Sequence, residues 1–555
     1  MAGLALVTGG LALLGVVLFR QRGFGTPDEA AARPSVRWRL GVAAVAVLGV
    51  ALRAAAMLRA GPDTYEYGPL LDGRQWYDAL FGPVRDTALG FFHGPLQPLL
   101  AFGWGRALDA LGVVPSLPLL RAPNLLLAVA QIALIAVLGR RLGAPRAGLA
   151  AAFLLAVLPF GVRVAVMQES YLLDAVLTAW ILERLVAALT SDARLLGLAV
   201  AGGLLAWNGW LGGPVLVLSG LALLAASVRA RRPGPPLAVL AFVALAFSVP
   251  LPNLLAGVSA FGGHPRGAAA AAPGVLAAAL LAGTGLPGAL LAGSAWVTLR
   301  RRPAWPAWLL ALVAAYGGLA VALPLRDCNL ALLVPLVPGL GLVGLERALT
   351  RARPGRVELA LALLSLLLAH RAWVDVLARP EPPLSGVLFG GPFDGSVGHF
   401  RDARPLRRLL AETPPARAPL VVLDEPATVD ALVQLPAPST EALVQGARRL
   451  LQRRDTDPAV PVRDPAGPWD LLALPRLVER PPALPASAAV LDLLLGDPAV
   501  AGRPFVLVTS PRVLAAWSAP LDAALARAGI GCRERGGSPE SDLVVHACAP
   551  LDSGR

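Results

Sequence analysis

Five acidic side chains lie in one segment between two apolar stretches of the chain. They are Asp63, Glu66, Asp72, Asp78 and Asp86. A carboxylate can take a proton from a hydroxyl or amine nucleophile, whereas Arg or His can bind a phosphate leaving group. Basic candidates for the second task are His93 and Arg326. These residue types predict a transfer reaction in which a nucleophile is deprotonated and a phosphate departs.

The elements that must position these residues are membrane-spanning helices. The 555 residues are 56% hydrophobic and 15% charged, with a mean hydropathy of +0.64. A soluble domain carries about a quarter charged residues, so this chain has too few charges to cover a soluble surface. Apolar stretches of about 20 residues predict spans. The twelve candidates are 2–19, 40–58, 120–139, 147–162, 171–190, 195–208, 211–228, 236–254, 271–298, 304–323, 328–346 and 357–374.

The positions of the Arg residues predict how these spans are oriented. The net charge is +13, and the basic residues are all Arg. Their clusters fall in alternate loops if 94–114 does not cross the membrane, and the positive-inside rule makes those loops cytoplasmic. The N-terminus and segment 94–114, as a juxtamembrane or re-entrant helix, then lie outside. This pattern explains the charge without nucleic-acid binding. A cleaved signal peptide is the alternative for 2–19, but its basic residues follow the apolar run.

The part of the chain after residue 375 has a different composition. Strand-like runs at 419–423, 469–474, 505–509 and 542–546 alternate with helix-like stretches at 440–453 and 519–528. This alternation predicts a small α/β domain over 375–555, which is placed outside. Before it come an N-terminal apolar span with a cytoplasmic basic linker at 1–39 and a membrane part at 40–374, whose first outer loop is 59–119. Cys532 and Cys548 are candidates for a disulfide on that oxidising side, whereas Cys328 is predicted to pack in a span.

Several motifs follow one another in a characteristic order. They are Leu71-Asp72-x4-Tyr77-x-Ala79, His93-Gly-Pro-Leu-Gln-Pro-Leu-Leu, Arg121-x2-Asn124, Glu169-Ser-Tyr-Leu-Leu-Asp174 and Arg326-x8-Pro335-x2-Pro338. This order resembles the GT-C glycosyltransferases, in particular the protein O-mannosyltransferase and aminoarabinose transferase-like branch. The resemblance covers about 40–346.

The resemblance implies a fold and an activity. The fold would be an all-α polytopic membrane protein of about 11–12 transmembrane helices with a C-terminal extracytoplasmic α/β domain. The enzyme would reside in the plasma or inner membrane of a prokaryote. It would transfer a sugar from a polyprenyl-phosphate donor to an acceptor on the extracytoplasmic face. Protein, lipid and glycan acceptors all stay open.

The resemblance also implies roles for particular residues. Asp72 would be the catalytic base, with Asp63 and Glu66 as competitors for that role and Glu169 in a second acidic motif. The donor-phosphate candidates are Arg326, His93, His264 and Arg266, and the further cavity candidates are Tyr77, Asp174 and Arg53. The plain structural alternatives are a helix-capping carboxylate for Asp72, an interfacial Arg for Arg326 and packing for Tyr77.

Cofactor use and two other functions stay open in the sequence. No cluster of ligands has metal-site spacing, although some GT-C enzymes need a divalent cation, and Asp72 with Glu169 could hold Mg²⁺ or Mn²⁺. A non-catalytic GT-C-like scaffold is one alternative, because Asn208 stands where relatives often carry Arg. A lipid or solute transporter is the other, disfavoured because the charges gather at one face rather than at mid-membrane.

Overall fold

The structure is a computed structural model with two compact units. It describes residues 2–24, 34–59, 68–81, 94–166, 170–209, 212–252, 255, 315, 336–352, 356–378, 419–423, 439–445, 462–464, 471–473, 484–498, 500–509, 511–536 and 544–551. The helical unit comprises Met1–Ala54, Trp76–Pro98 and Pro123–Gly395, and the mixed unit comprises Ala55–Gln75, Leu99–Ala122 and Ser396–Arg555.

Helices dominate the described residues up to 378. They are α1 (Ala2–Arg20), α2 (Val36–Arg59), α3 (Gly68–Phe81), α4 (Leu96–Ala110), α5 (Leu117–Arg121), α6 (Pro123–Arg141), α7 (Pro145–Val157), α8 (Pro159–Val166), α9 (Tyr171–Thr190), α10 (Leu196–Asn208), α11 (Gly213–Ala230), α12 (Gly234–Phe247), α13 (Leu336–Ala352) and α14 (Val357–Ala378). Proline stands in the first turn of α5, α7, α11 and α12, where its missing N–H costs no hydrogen bond.

The predicted spans correspond to helices wherever the structure describes them. Three helical stretches of the described part are long and apolar enough to cross a membrane: Val36–Leu58, Leu117–Arg141 and Gly213–Ala230. Shorter apolar helices occupy Leu6–Arg20, Leu196–Asn208, Gly234–Phe247 and Val357–His370. The predicted spans 271–298 and, apart from residue 315, 304–323 lie outside the described residues. The predicted fold class, a polytopic helical protein with a C-terminal sheet, is confirmed.

The predicted single span at 147–162 is wrong in one respect. The structure divides this stretch into α7 and α8, which meet at an angle of 60°. Leu158 between them has an extended backbone, with ψ of 134°, because the residue before a proline avoids the helical conformation. Arg163 is a buried residue of α8.

Two apolar cores hold the helical unit together, and α9 contributes to both. One core joins α9 to α1, α10, α11 and α12, and the other joins it to α6, α7, α13 and α14. The backbones of α6 and α7 approach each other closely, since a Cβ on Gly139 would lie 2.3 Å from the Cα of Gly148. Small residues permit this kind of contact between helices in membranes.

The mixed unit contains a six-stranded sheet. Its strands are β1 (Leu420–Leu423), β2 (Val462–Asp464), β3 (Leu471–Ala473), β4 (Phe505–Thr509), β5 (Ile530–Gly536) and β6 (Val544–Pro550). They lie in the order β2-β3-β1-β4-β6-β5, with β3, β1 and β4 parallel and the remaining pairs antiparallel. Helices α15 (Leu484–Leu495) and α16 (Pro511–Arg527) share an apolar core with β1 and β4. The predicted α/β tail is therefore present.

The candidate disulfide is formed. Cys532 and Cys548 stand directly opposite each other in the register of β5 and β6, with their Cα atoms 4.1 Å apart. This pairing of neighbouring antiparallel strands places the two sulfur atoms within bonding reach.

A second core of the mixed unit joins distant parts of the sequence. Leu70 and Leu71 of α3 and Phe102 of α4 pack with Leu443 and Val444 of the tail. Residues 440–445, the described part of the predicted helix 440–453, are helical. The tail therefore contributes to the structure that surrounds residues 68–75.

Candidate functional site

Asp72, the predicted catalytic base, lies on α3 in the mixed unit. It follows the buried Leu70 and Leu71 and is itself partly buried. Burial raises the pKa of the Asp72 carboxyl to about 7. Among the described residues it has no hydrogen-bond or salt-bridge partner. A carboxyl group with a pKa near neutrality can accept a proton from a nucleophile and release it again, which suits a general base.

Asp174 belongs to a buried polar network in the helical unit. Its Oδ1 accepts a hydrogen bond of 2.8 Å from Nδ2 of Asn208, and both residues are at most 3% exposed. The Asn208 amide also accepts a 3.2 Å hydrogen bond at Oδ1 from the backbone N–H of Gln97. The network fixes the chain next to His93, since the Gly94 N–H donates to the Asn208 carbonyl at 3.3 Å. Asp174 is thus a buried, hydrogen-bonded partner of Asn208 rather than an open carboxylate.

Gly94 is required at its position in this network. A Cβ there would lie 2.2 Å from the carbonyl oxygen of Trp207, so no larger residue fits. The sequence signal for this contact is Asn208 itself, a polar residue at the end of an apolar helix. Its importance was missed because the residue was interpreted only as a lost Arg.

Arg53 forms hydrogen bonds to the backbone at the break between α7 and α8. Its guanidinium is fully buried and donates four hydrogen bonds to backbone carbonyl oxygens, those of Gly49, Leu155, Ala156 and Gly161, at 2.8–3.1 Å. Helix ends leave carbonyl groups without intrahelical partners, and Arg53 satisfies those that the break creates. Arg53 was predicted as a cavity candidate, but the hydrogen bonds that the structure describes for it go to the backbone.

Of the eight remaining predicted site residues, the structure describes one, Tyr77, and the other seven lie outside the described residues. Tyr77 is 47% exposed, and its ring lies 5.5 Å from that of Phe81. The predictions that fall outside the described residues are those for Asp63, Glu66, His93, Glu169, His264, Arg266 and Arg326. Asp72 lies in a different unit from Tyr77, Asp174 and Arg53.

A buried carboxylate of a different kind lies near the last turns of α6 and α9. Glu183 is 1% exposed, and its Oε1 accepts hydrogen bonds from Arg141 Nε at 3.1 Å and Arg184 Nη2 at 2.8 Å. Arg184 Nε also donates to Oε2. Sequence analysis missed this cluster because Glu183 is hidden in an apolar stretch. Its charge is compensated by two cations, so it holds α6 and α9 together.

Neighbouring contacts reinforce this basic end of the helical unit. Glu346 of α13 accepts a 2.6 Å hydrogen bond from the N–H of Ala147, in the first turn of α7. A carboxylate at a helix N-terminus satisfies a free N–H and interacts well with the helix dipole. Arg140 lies 5.5 Å from the centre of the Trp38 ring, and Trp38 donates to the Pro145 carbonyl at 3.2 Å.

Metal ligands do not assemble within the described part of the chain. No group of three or more His, Cys, Asp or Glu side chains there could hold an ion. The pair predicted for a divalent cation, Asp72 and Glu169, is only half described.

Comparison with known proteins gives structural neighbours only. Neither a family profile nor a curated protein sequence matches the chain. The neighbours are GT-C glycosyltransferases, the class that the sequence motifs resemble. One is ArnT from Cupriavidus metallidurans in the apo state, with 16% identity, a TM-score of 0.48 and coverage of 92% of this chain and 97% of that one.

Two further neighbours come from other organisms. The archaeal oligosaccharyltransferase AglB from Archaeoglobus fulgidus, in complex with an inhibitory peptide and a dolichol-phosphate, has 17% identity, a TM-score of 0.40 and coverage of 92% and 74%. The arabinosyltransferase EmbB from Mycobacterium smegmatis has 15% identity, a TM-score of 0.38 and coverage of 70% and 42%. At these values no residue role is transferred from a neighbour to this chain.

Proposed function

We propose that the protein is a membrane glycosyltransferase that uses a polyprenyl-phosphate sugar as donor. The observation that carries the proposal is Asp72, a partly buried carboxyl group whose pKa is raised to about 7. It lies in the segment that the Arg distribution assigns to the extracytoplasmic side. The order of motifs around it, which resembles the GT-C glycosyltransferases, supports the same reaction class.

The proposed reaction is a direct displacement at the anomeric carbon. The Asp72 carboxylate takes the proton of the acceptor hydroxyl or amine as the acceptor atom forms its bond to that carbon. The bond from the carbon to the phosphate oxygen breaks, and the lipid phosphate leaves with both electrons. Arg326 and His93 are proposed to stabilise the phosphate charge, with His264 and Arg266 as further candidates.

The donor explains why the reaction takes place at a membrane. Its long hydrocarbon tail stays in the bilayer while the sugar phosphate reaches the water interface. The site and the tail domain over 375–555 are proposed to be extracytoplasmic, which agrees with a disulfide between Cys532 and Cys548 in an oxidising compartment. The proposed acceptor is a protein, a lipid or a glycan.

A transfer assay in proteoliposomes tests the proposal. Wild-type protein and Asp72→Asn are incubated with radiolabelled polyprenyl-phosphate sugars, and transfer or donor hydrolysis is measured. Asp522→Asn is the matched control, because Asp522 is an exposed carboxylate on α16 of the same unit. We expect turnover by the wild type and the control but a loss of about 100-fold in Asp72→Asn. Folded wild-type protein that is inactive with every donor would contradict the proposal.

A non-catalytic scaffold is the second candidate, and Asn208 favours it. This residue is 1% exposed and uses its amide to hold Asp174 and Gln97, so it offers no cation to a phosphate. A scaffold would bind partners without turnover, and Asp72→Asn would leave its binding unchanged. The same assay therefore separates the two functions.

A further inference from the structure

The tail of the chain supplies a short segment that contacts α3, the helix of Asp72, and α4. We call residues 439–445 the clamp segment. Ser439 begins its helix, since its Oγ accepts a hydrogen bond of 3.3 Å from the N–H of Ala442, as a capping serine does. Leu443 and Val444 are each 2% exposed and pack against α3, α4 and α5. The clamp segment is therefore part of a core whose other members come from residues 68–122.

Polar contacts fix the register of the clamp segment on α4. Oδ1 of Asp109 accepts two hydrogen bonds from Thr440, from its N–H at 2.9 Å and from its hydroxyl at 3.1 Å. Gly105, one turn earlier on α4, makes room for this contact, because a Cβ there would lie 2.7 Å from Thr440 Cγ2. Gly103 on the same helix has open space at its Cβ position. Of these two glycines, Gly105 is the one that makes room for Thr440.

A salt bridge connects the clamp segment to the helix of Asp72. Arg74 Nη1 lies 3.0 Å from Glu441 Oε2, and its guanidinium lies 6.0 Å from the centre of the Phe102 ring. Arg74 is two residues from Asp72, so the rotation of α3 that places one side chain also places the other. The opposite oxygen of Glu441 accepts a 2.9 Å hydrogen bond from Gln445, which restrains the carboxylate.

We propose that Glu441 and Arg74 are positioning residues for transfer, and that the clamp segment holds residues 68–75 so that Asp72 meets the acceptor. This inference rests on the proposed function for its kinetic part. The tail is then a working part of the active centre rather than an appended domain. A reaction-competent placement of Asp72 is lost when the pair is broken, although donor binding, which other residues provide, is kept.

The test uses the full-length protein in proteoliposomes with two measurements. One is kcat and KM for the donor, and the other is hydrogen–deuterium exchange of peptides covering 68–75. The variants are Glu441→Arg, Arg74→Glu and the double exchange of both. Asp492→Arg is the control, since it breaks the similarly exposed pair with Arg527 in the same unit.

We expect each single reversal to lower kcat about fivefold, because a partly exposed ion pair contributes at most about 1 kcal/mol. KM should stay unchanged, and hydrogen–deuterium exchange in 68–75 should become faster. The double exchange should restore kcat and protection to within about twofold, and Asp492→Arg should match the wild type. Unchanged kcat and exchange in the single variants, or no recovery in the double variant, would overturn the proposal.

A glycine pair provides a second test if a charge reversal prevents folding. Gly105→Ala places a methyl group against Thr440 and should displace the clamp segment, with the same loss of kcat and protection. Gly103→Ala places the same group in open space and should have no effect. Equal behaviour of the two variants would contradict the proposal. If the wild type transfers no sugar, the proposed function fails, whereas the exchange measurement still decides whether the clamp segment holds α3.

Discussion

Glu183 and Asp72 are both acidic residues with restricted access to water, Glu183 at 1% exposure and Asp72 partly buried, but their surroundings differ. Glu183 accepts hydrogen bonds from two arginines, and Asp72 has no described partner. Burial of a charge is tolerated when a cation compensates it; otherwise the group shifts its pKa and becomes neutral more easily. The paired carboxylate stabilises the helix bundle, whereas the one without a described partner has the raised pKa that its proposed role as a base requires. A buried carboxylate therefore indicates function only when its partners are known.

The two carboxylates should differ most in how replacement by the amide affects sugar transfer, and the larger effect is expected at Asp72. Asp72→Asn should lose about 100-fold or more in transfer and keep its fold, because it removes only the proton acceptor. The raised pKa means that Asp72 contributes most to stability when it is protonated, and that this contribution is lost as the pH rises from about 4 towards 7. At pH 8 the variant should melt no lower than the wild type. Lower thermal stability in a melting assay would instead make Asp72 structural.

Glu183→Gln is expected to have the opposite effect: it should lower stability and leave transfer unchanged. It removes the charge that two arginines share, so the free energy of unfolding should fall by about 2 kcal/mol. Activity per folded molecule should stay the same. Thermal melting together with transfer measured on the folded fraction checks this, and Asp192→Asn is a control, because Asp192 pairs with Arg22 while 46% exposed. An unaltered melting temperature would mean that the arginines find other partners.

The pH dependence of transfer sharpens the comparison further. Because the Asp72 carboxylate must be ionised to accept a proton, activity should rise with pH and level off above about 7. Below that value it should fall about tenfold for each pH unit. The profile is measured as kcat/KM between pH 5 and 9. Glu183→Gln should retain the same profile, and a profile unchanged in Asp72→Asn would assign the titration to another group.

The smallest effect is expected at Tyr77. Its ring is 47% exposed and contacts Phe81, and it lies in the helical unit. Tyr77→Phe keeps the ring and removes the hydroxyl, so transfer should stay within about twofold of the wild type. A loss of more than tenfold would give Tyr77 a part in the chemistry.

Sequence reasoning predicted the apolar helices and four of the six described strands, because apolar runs and strand-like alternation are local signals. It did not identify α15 or the three-residue strand β2. It missed β5, since Arg533, Glu534 and Arg535 interrupt its apolar pattern. It began the helix at 519 rather than at Pro511, because Pro520 inside α16 imitates a helix start. The break at Leu158 was also missed, although the proline after it was visible.

The candidate site was predictable only as a set of residue types. Asp72 was found because its motif and its position agree. The role of Arg53 depends on carbonyl groups about 100 residues away in the chain, and that of Glu441 on its contact with Arg74. Such pairings are determined by tertiary packing, so the spacing of residues along the sequence does not predict them.

The order of strands in the tail restricts how other molecules can attach to it. Among the described strands, the two at the edges of the sheet are β2, which has three residues, and β5, which carries three charged residues and is covalently tied to β6. Short and charged edge strands resist pairing with further strands. Strand addition from an extended peptide is therefore disfavoured at both edges, and so is self-association into longer sheets. A molecule recruited by this domain has to be recognised through its loops and helix surfaces.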